Sequence, residues 1–288
     1  MVSIKTLSNY KAVLGEGPLY DPGLNRVYWV DINVGRINYV DLDSGREGFI
    51  KTPDVVTSIQ LREGGGLIVT MRHGFYAVNI DTGQVRVLAE VETDMPMNRF
   101  NDGKCDAEGR YWAGTMDINE NAPTGSLYVL DLDGKVRKVL DGLTISNGIA
   151  WSLDNKTMYL IDTPTLNVYA FDFDLKNGFI SNRRVIINFR NETGKPDGMT
   201  IDSEGMIWIA HARGGRVSRW DPVSGRKLLE IGMPASGTTS VIFGGKDLGI
   251  LFVTTASILS KQEELFSGYL YAVEGLNIKG ITPYTCKL

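Results

Sequence analysis

Short apolar and aromatic runs recur along the whole chain and are separated by polar turn residues. Six of these runs are rich in β-branched and aromatic side chains, and each is followed by a second run of the same kind. The first set is residues 26–30, 66–70, 110–113, 157–161, 206–210 and 250–254, and the second set is 36–40, 75–78, 126–130, 168–171, 216–220 and 269–273. Runs of this length, bounded by turn signals, predict β-strands.

Turn signals follow five of the second runs and lead into a further strand. They are Asp43-Ser44-Gly45, Asp81-Thr82-Gly83, Asp133-Gly134, Lys176-Asn177-Gly178 and Ser224-Gly225. Glycine and asparagine accept the positive φ that tight hairpin turns require, so these segments predict hairpins. Only residues 260–266 have the composition of a short helical turn.

A segment with an oxygen-bearing side chain and a glycine precedes several of these hairpins. The copies are Glu16-Gly17, Asn101-Asp102-Gly103, Asn147-Gly148 and Asp197-Gly198. The second and third copies are 46 residues apart, the third and fourth are 50 apart, and the first and second are 85 apart, which corresponds to two units. Propeller blades have four antiparallel strands in about 40–50 residues, so these segments predict the first strand of each blade.

The repeat therefore predicts an all-β fold, a six-bladed β-propeller with four-stranded antiparallel blades, as a single domain over residues 1–288. Blades two and six are expected to begin near residues 56–59 and 239–243. Residues 4–13 and 276–284 are expected to add strands to one shared blade, so that both termini close the ring. A double-sheet sandwich or a barrel is the competing architecture, but neither explains a register repeated six times.

Because the first strand of every blade lines the central channel, the side chains at its start should meet at one mouth. Counting eight residues back from the turn glycines Gly109 and Gly205 selects Asn101 and Asp197. Matching on the Asp-Gly pair selects Asp102 instead, so this choice stays open. An isolated Asn-Gly is more typical of a turn than of a ligand, but four copies in one register favour a site.

The predicted cluster is Glu16, Asn101, Asn147 and Asp197, all hard oxygen donors. Such donors suit a divalent cation, with Ca²⁺ first and Mg²⁺ or Mn²⁺ next, while Zn²⁺ and Fe²⁺ are alternatives. Arg99 lies two residues before Asn101, which indicates a clamp for substrate oxygen atoms.

Composition excludes several other classes. The net charge is −4 and there is no cluster of basic residues, so nucleic acid is not an expected partner. No apolar stretch approaches the roughly 20 residues of a membrane span, and no signal-like block begins the chain, so we expect no membrane association and a cytoplasmic protein. A bridge between Cys105 and Cys286 is conceivable but not expected in a reducing compartment. His73 and His211 are more typical of structural histidines, and the sequence has no Gly-x-Ser-x-Gly elbow for a serine triad.

Several motifs together resemble the senescence marker protein, gluconolactonase and luciferin-regenerating enzyme-like family. They are Leu14-Gly15-Glu16-Gly17-Pro18, Asn98-Arg99-Phe100-Asn101-Asp102-Gly103-Lys104, Ala113-Gly114-Thr115-Met116, Ser146-Asn147-Gly148-Ile149-Ala150-Trp151-Ser152, Pro196-Asp197-Gly198-Met199 and Gly275-Leu276-Asn277-Ile278-Lys279-Gly280.

The resemblance implies a six-bladed propeller with one divalent metal bound by Glu16, Asn147 and Asp197. It also implies that Arg99 and Asn101 contact substrate, which favours Asn101 over Asp102. Some members carry a carboxylate for sugar hydroxyls shortly after the Gly-Thr-Met segment. Here the loop reads Asp117-Ile118-Asn119-Glu120-Asn121. Asn119 takes the matching position, and the choice of the residue in this loop that contacts substrate stays open.

The resulting hypothesis is a metal-dependent lactonase that hydrolyses aldonolactones of the glucono-, galactono- or xylonolactone type to aldonic acids. Asp197 is the expected general base, and Arg99, Asn101 and Asn119 are expected to orient the sugar. The alternatives are a divalent-metal hydrolase of other esters or organophosphates, and a non-catalytic calcium-binding propeller. The expected partner is a small sugar lactone, and the chain is expected to be a monomer or a weak homo-oligomer.

Overall fold

The computed structural model describes residues 1–261 and 264–288, and its regular structure is almost entirely β-strand. Twenty-four strands in these residues form six antiparallel sheets of four strands each. The two other elements in the described part of the chain are single 3-10 turns, Thr163–Thr165 and Ser257–Leu259. The predicted all-β fold, a six-bladed propeller of four-stranded antiparallel blades, is therefore confirmed. Within the same residues, no helix has both the length and the apolar character needed to cross a membrane.

Each of the first three blades is a run of four consecutive strands. Blade one is β2 (Gly15–Asp21), β3 (Arg26–Asp31), β4 (Arg36–Asp41) and β5 (Glu47–Lys51); blade two is β6 (Val56–Leu61), β7 (Leu67–Met71), β8 (Gly74–Val78) and β9 (Val85–Glu90); blade three is β10 (Asn98–Cys105), β11 (Tyr111–Asp117), β12 (Gly125–Leu130) and β13 (Val136–Leu143).

Blades four and five follow the same order, and blade six differs in its outer strand. Blade four is β14 (Ser146–Trp151), β15 (Thr157–Asp162), β16 (Asn167–Asp174) and β17 (Phe179–Asn188); blade five is β18 (Lys195–Ile201), β19 (Ile207–Ala212), β20 (Arg216–Trp220) and β21 (Lys227–Gly232); blade six is β22 (Thr238–Gly244), β23 (Ile250–Thr255), β24 (Tyr271–Glu274) and β1 (Ser3–Thr6). Blades two and six thus begin where the repeat predicts.

The first strands of the blades form the inner ring. Each of them contacts the first strand of both neighbouring blades, and β2 contacts β22, which completes the circle. Because the ring closes on itself, the inner edge of each sheet faces the channel, where it is shielded from pairing with another chain.

The two ends of the chain have different roles. The N-terminal strand β1 pairs with β24 as the outer strand of blade six, with Ile4 opposite Val273. The prediction that residues 276–284 add a strand to this blade is wrong. The backbone there leaves the sheet after Gly275, whose φ of +80° turns the chain away.

The C-terminal segment instead crosses the ring at the ends of the first strands. Its backbone makes an isolated bridge from Gly280 to Asp202 in blade five, and a second one from Cys286 to Arg62 in blade two. A disulfide joins Cys286 to Cys105 at the end of β10 and closes a loop with a sequence separation of 181 residues. The expectation that these cysteines stay unpaired is wrong, because the crossing segment brings their Cα atoms to 5.7 Å.

The hydrophobic core is divided among the six contacts between adjacent blades. In each one, inward side chains of one blade pack against those of the next, as Val30 and Ile37 of blade one do with Ile59 and Val69 of blade two. All five tryptophans are buried in such clusters, as the sequence predicts: Trp29, Trp112, Trp151, Trp208 and Trp220. The predicted helical turn at 260–266 includes residues 262 and 263, which lie outside the described part of the chain.

Candidate metal centre and active site

Four oxygen donors at the starts of the first strands line one cavity at a mouth of the channel. They are Glu16 of blade one, Asn101 of blade three, Asn147 of blade four and Asp197 of blade five. The cavity has a volume of about 130 Å³, and each donor is only 5–8% exposed. The structure therefore brings together the cluster that the register predicts.

A β-bulge lies at each of these donors and explains why its side chain points into the channel. The ladder between the first and second strands shifts between Glu16 and Leu19, between Phe100 and Gly103, between Ser146 and Ile149, and between Pro196 and Met199. A bulge leaves a residue unpaired and turns the local side chain away from the regular pleat.

Glycine follows Asn147 and Asp197 because the neighbouring blade comes too close for a side chain at Gly148 and Gly198. A Cβ at Gly148 would lie 2.7 Å from Met199 Cγ and 2.8 Å from the carbonyl oxygen of Asp197. Gly148 does not have a positive φ, so Asn147-Gly148 is a bulge inside a strand and not a turn. Its glycine reflects the close approach of two first strands.

The two carboxylates are buried beside each other. Burial, together with the charge of Asp102, raises the pKa of Glu16 from its ordinary 4.5 to about 8. Burial and the charge of Glu16 raise the pKa of Asp197 well above the usual range. The Gly17 N–H donates a hydrogen bond to Glu16 Oε2 at 2.8 Å. Two buried carboxylates that repel one another are stabilised by a cation between them, so this part of the cavity favours cation binding.

The amide donors are held in fixed orientations. Asn147 Nδ2 donates to Thr163 Oγ1 at 2.9 Å, and Thr163 Oγ1 donates to the carbonyl oxygen of Pro196 at 2.8 Å. With its NH₂ group committed, Asn147 directs its Oδ1 towards Asn101, whose Nδ2 lies 3.3 Å away. Thr163 was not predicted from the sequence, because it belongs to none of the recognised motifs. It lies directly after β15 and precedes a proline in the 3-10 turn Thr163–Thr165.

Arg99 lies at the mouth, as its position before Asn101 predicts. Its guanidinium donates to Asn101 Oδ1 at 2.7 Å and to the Phe100 carbonyl oxygen at 2.8 Å. Burial lowers the pKa of Arg99 to about 10, against the opposing effect of the Glu120 and Glu16 carboxylates. Arg99 and Asn101 are therefore hydrogen-bonded to each other along one side of the cavity.

The structure places the residues after the Gly-Thr-Met segment differently from what the family resemblance implies. Asn119 is exposed and is not among the residues that line the cavity, whereas its neighbour Glu120 is. Glu120 has a φ of +58°, and its N–H donates to the Asp117 carbonyl oxygen at 2.9 Å, so this turn places Glu120 itself at the mouth. Asp102 lies outside this cavity, in a narrow space lower in the channel with Lys104 and Gln60.

Three further polar residues line the mouth: Glu120, Lys195 and Arg213. Glu120 belongs to the loop 117–121, in which the sequence leaves the contact residue open, whereas Lys195 and Arg213 were not predicted. Lys195 did carry a signal, because it precedes Asp197 by the same two residues that separate Arg99 from Asn101. His211 is a structural histidine: its ring nitrogens bond the Thr193 carbonyl oxygen at 2.9 Å and Ser218 Oγ at 2.6 Å.

The donor set fits a hard divalent cation. Two carboxylates balance the charge of such an ion, and amide oxygens complete a set without sulfur or imidazole. In residues 1–261 and 264–288 there is no group of three or more His, Cys, Asp or Glu side chains that could hold a metal ion. The present cluster has only two such residues, because its other donors are amides.

The fold and the site together define the class of protein: a six-bladed β-propeller with oxygen-bearing side chains at the mouth of its channel. Comparison with known proteins then identifies the family. The family model described as SMP-30/Gluconolactonase/LRE-like region matches residues 14–257. The chain belongs to this family. Membership supports a sugar lactonase or a calcium-binding propeller as the general function.

Three similar proteins illustrate the match. Regucalcin of Oryctolagus cuniculus is 46% identical over 284 residues, which cover 94% of each chain. The structure of a luciferin-regenerating enzyme is 32% identical, covers 100% of both chains and has a TM-score of 0.94. A regucalcin of Agrobacterium tumefaciens, described as a calcium-binding protein, is 28% identical with a TM-score of 0.94 and covers 99% of this chain and 98% of its own.

Proposed function

We propose that this protein is a metal-dependent lactonase that hydrolyses aldonolactones of the glucono-, galactono- or xylonolactone type to aldonic acids. The observation that carries the proposal is the position of Arg99 beside two buried carboxylates, Glu16 and Asp197, in one cavity. A half-buried guanidinium at a metal site suits a ligand rich in oxygen atoms.

Glu16, Asn147 and Asp197 would hold a single divalent cation, with Ca²⁺ as the first expectation and Mg²⁺, Mn²⁺, Zn²⁺ or Fe²⁺ as alternatives. Thr163 supports this role, because it fixes the Asn147 amide so that its oxygen faces the cavity. When bound, such an ion supplies Lewis-acid chemistry, because it polarises the lactone carbonyl and stabilises the negative charge that develops on its oxygen.

Asp197 is the proposed general base. It lies in the cavity where a water molecule would meet the lactone carbonyl carbon, and a carboxylate oxygen can accept the proton that this water loses. Arg99 and Asn101 would orient the substrate, since their side chains are joined by a 2.7 Å hydrogen bond and so present a fixed set of donors.

The loop at 117–121 would supply a further substrate contact. The resemblance assigns this contact to Asn119, but the presence of Glu120 in the cavity lining favours Glu120 as the group that accepts hydrogen bonds from sugar hydroxyls. The single-domain organisation, the cytoplasmic location and the monomeric or weakly associated state stay predictions.

A proton-release assay tests the function directly. The purified protein, loaded in turn with each candidate cation, is given glucono-, galactono- and xylonolactones, a simple ester and an organophosphate, with and without chelator. We expect lactone hydrolysis that chelator removes and cation restores. Hydrolysis that is insensitive to chelator would contradict the metal-dependent reaction.

A non-catalytic calcium-binding propeller is the second candidate, favoured by the likeness to a structure described as a calcium-binding protein. Calorimetric binding of Ca²⁺ without turnover of any compound in the panel would support it. Arg99 argues against this second candidate, because a metal ion repels a positively charged side chain beside it unless an oxygen-rich ligand lies between them.

A further inference from the structure

The mouth of the cavity has a second ring of side chains above the donors. Each of the four donor blades contributes one residue, which lies two positions before its donor, within the first strand or immediately before it. These residues are Leu14, Arg99, Ile145 and Lys195, and all four line the cavity. Two residues along a strand span about 6–7 Å, so this outer ring lies where the far end of a bound lactone would be.

The outer ring is apolar on blades one and four and cationic on blades three and five. Lys195 in blade five is the counterpart of Arg99 in blade three. Arg213, which follows β19, lies next to it, because Lys195 pairs in register with Ala212. Arg213 has a φ of +60°, in a turn where Gly214 N donates to the His211 carbonyl oxygen at 2.9 Å. Blade five thus presents two exposed cations to the mouth.

The charges that line the cavity do not balance once a divalent ion is held. Glu16 and Asp197 together neutralise such an ion, and Glu120 and Arg99, which line the same cavity, carry opposite charges. That leaves Lys195 and Arg213. Within residues 1–261 and 264–288, neither side chain makes a hydrogen bond or an ion pair with a carboxylate.

We propose that the site takes lactones that carry an anionic substituent, a carboxylate or a phosphate, at the end away from the reacting carbonyl, and that Lys195 and Arg213 hold this group. The proposal rests on the lactonase function proposed above and adds a substrate class to it. Two cations on one blade match the two or three oxygen atoms of such a group, and guanidinium binds it with paired hydrogen bonds.

The test compares three lactones at low ionic strength: glucono-δ-lactone as the neutral one, a glucarolactone as the carboxylate, and 6-phosphogluconolactone as the phosphate. We expect kcat/KM to be roughly tenfold higher for an anionic lactone than for the neutral one. The preference should shrink as salt is added, because exposed charges are screened within about 10 Å at 0.1 M. Comparison of kcat/KM for the two anionic lactones shows whether the site prefers a carboxylate or a phosphate.

The variant pair Lys195→Gln and Arg213→Gln, alone and combined, should lower kcat/KM for the anionic lactone roughly tenfold more than for the neutral lactone, mainly through KM. Arg190→Gln, which removes an exposed charge before β18 and outside the cavity lining, is the matched control. Equal effects of the double variant on both lactones, or no wild-type preference, would overturn the inference. Failure to hydrolyse any lactone would instead overturn the proposed function.

Discussion

The side-chain amide of Asn147 donates a 2.9 Å hydrogen bond to Thr163 Oγ1, in the 3-10 turn that follows the neighbouring strand of its own blade. Thr163 Oγ1 in turn donates a hydrogen bond to the carbonyl oxygen of Pro196, which precedes Asp197. This chain links two of the proposed metal ligands from adjacent blades. It also fixes which atom of the Asn147 amide faces the cavity.

Thr163→Val should therefore weaken cation binding while leaving the ligands in place. Loss of the hydroxyl frees the Asn147 amide to rotate, and we expect cation affinity to fall about 10–100-fold, with a stability loss of about 1–3 kcal/mol from the unpaired polar groups. Calorimetric titration with Ca²⁺ and chemical denaturation measure the two effects.

The matched control is Thr165→Val, in the same 3-10 turn. Thr165 Oγ1 donates to the Asp162 carbonyl oxygen at 2.6 Å and does not line the cavity. The Thr165→Val substitution should lower the free energy of unfolding without changing cation affinity. Equal affinities of the two variants would remove Thr163 from the proposed site.

Asp197→Ala should abolish both cation binding and lactone turnover, because it removes a ligand and the proposed base together. The loss of the base alone is worth roughly 10²–10⁴-fold in rate. Asp102→Asn serves as control, since Asp102 is also a channel carboxylate but lies outside this cavity. Metal analysis and proton release give the two readouts, and full lactonase activity in Asp197→Ala would falsify the assignment.

Glu120→Gln should raise KM for a sugar lactone more than Asn119→Ala does. Only Glu120 lines the cavity, and a hydrogen bond to a charged group is worth enough to change KM roughly tenfold. Steady-state kinetics on both variants decides between the residue that the resemblance implies and the one that the cavity contains. A larger effect at Asn119 would show that the loop rearranges when substrate binds.

The metal-free protein should lose stability as the pH rises from about 5 to 8. Glu16 has a folded-state pKa of about 8, raised by burial from an ordinary 4.5. In this interval the folded form keeps a proton that the unfolded form has released, so a rising pH favours unfolding. Added Ca²⁺ should raise the thermal midpoint more at pH 8 than at pH 5, because protons compete with it.

Thermal unfolding across this pH range, with chelator and with Ca²⁺, checks the sign. Glu16→Gln should flatten the metal-free slope, since its amide does not titrate. A metal-free midpoint that climbs from pH 5 to pH 8 would contradict the buried-acid description.

Reductant should lower stability without disturbing the cavity. The Cys105–Cys286 bridge closes a loop with a sequence separation of 181 residues, and loss of a native disulfide typically costs about 2–5 kcal/mol. Denaturation with and without reductant measures the effect, and Cys105→Ala/Cys286→Ala should not respond to reductant. Cation affinity should stay the same, because the bridge lies at the C-terminal end of β10 and the donors lie at the starts of the first strands.

The sequence by itself determined the propeller and most of the donor ring. Strand composition, turn glycines and a constant spacing are local properties, and a closed repeat turns equal register into spatial proximity. Glu16, Asn101, Asn147 and Asp197 could be named for that reason.

Only the tertiary structure decided the rest, because it depends on contacts between segments far apart in the chain. The Asn147-Gly148 dipeptide has the composition of a turn, yet the approach of β18 makes it a bulge. Thr163 and Glu120 reach the cavity through a proline turn and a left-handed backbone, which no spacing rule predicts. Cys286 meets Cys105 because the C-terminal segment crosses the ring and does not join a sheet.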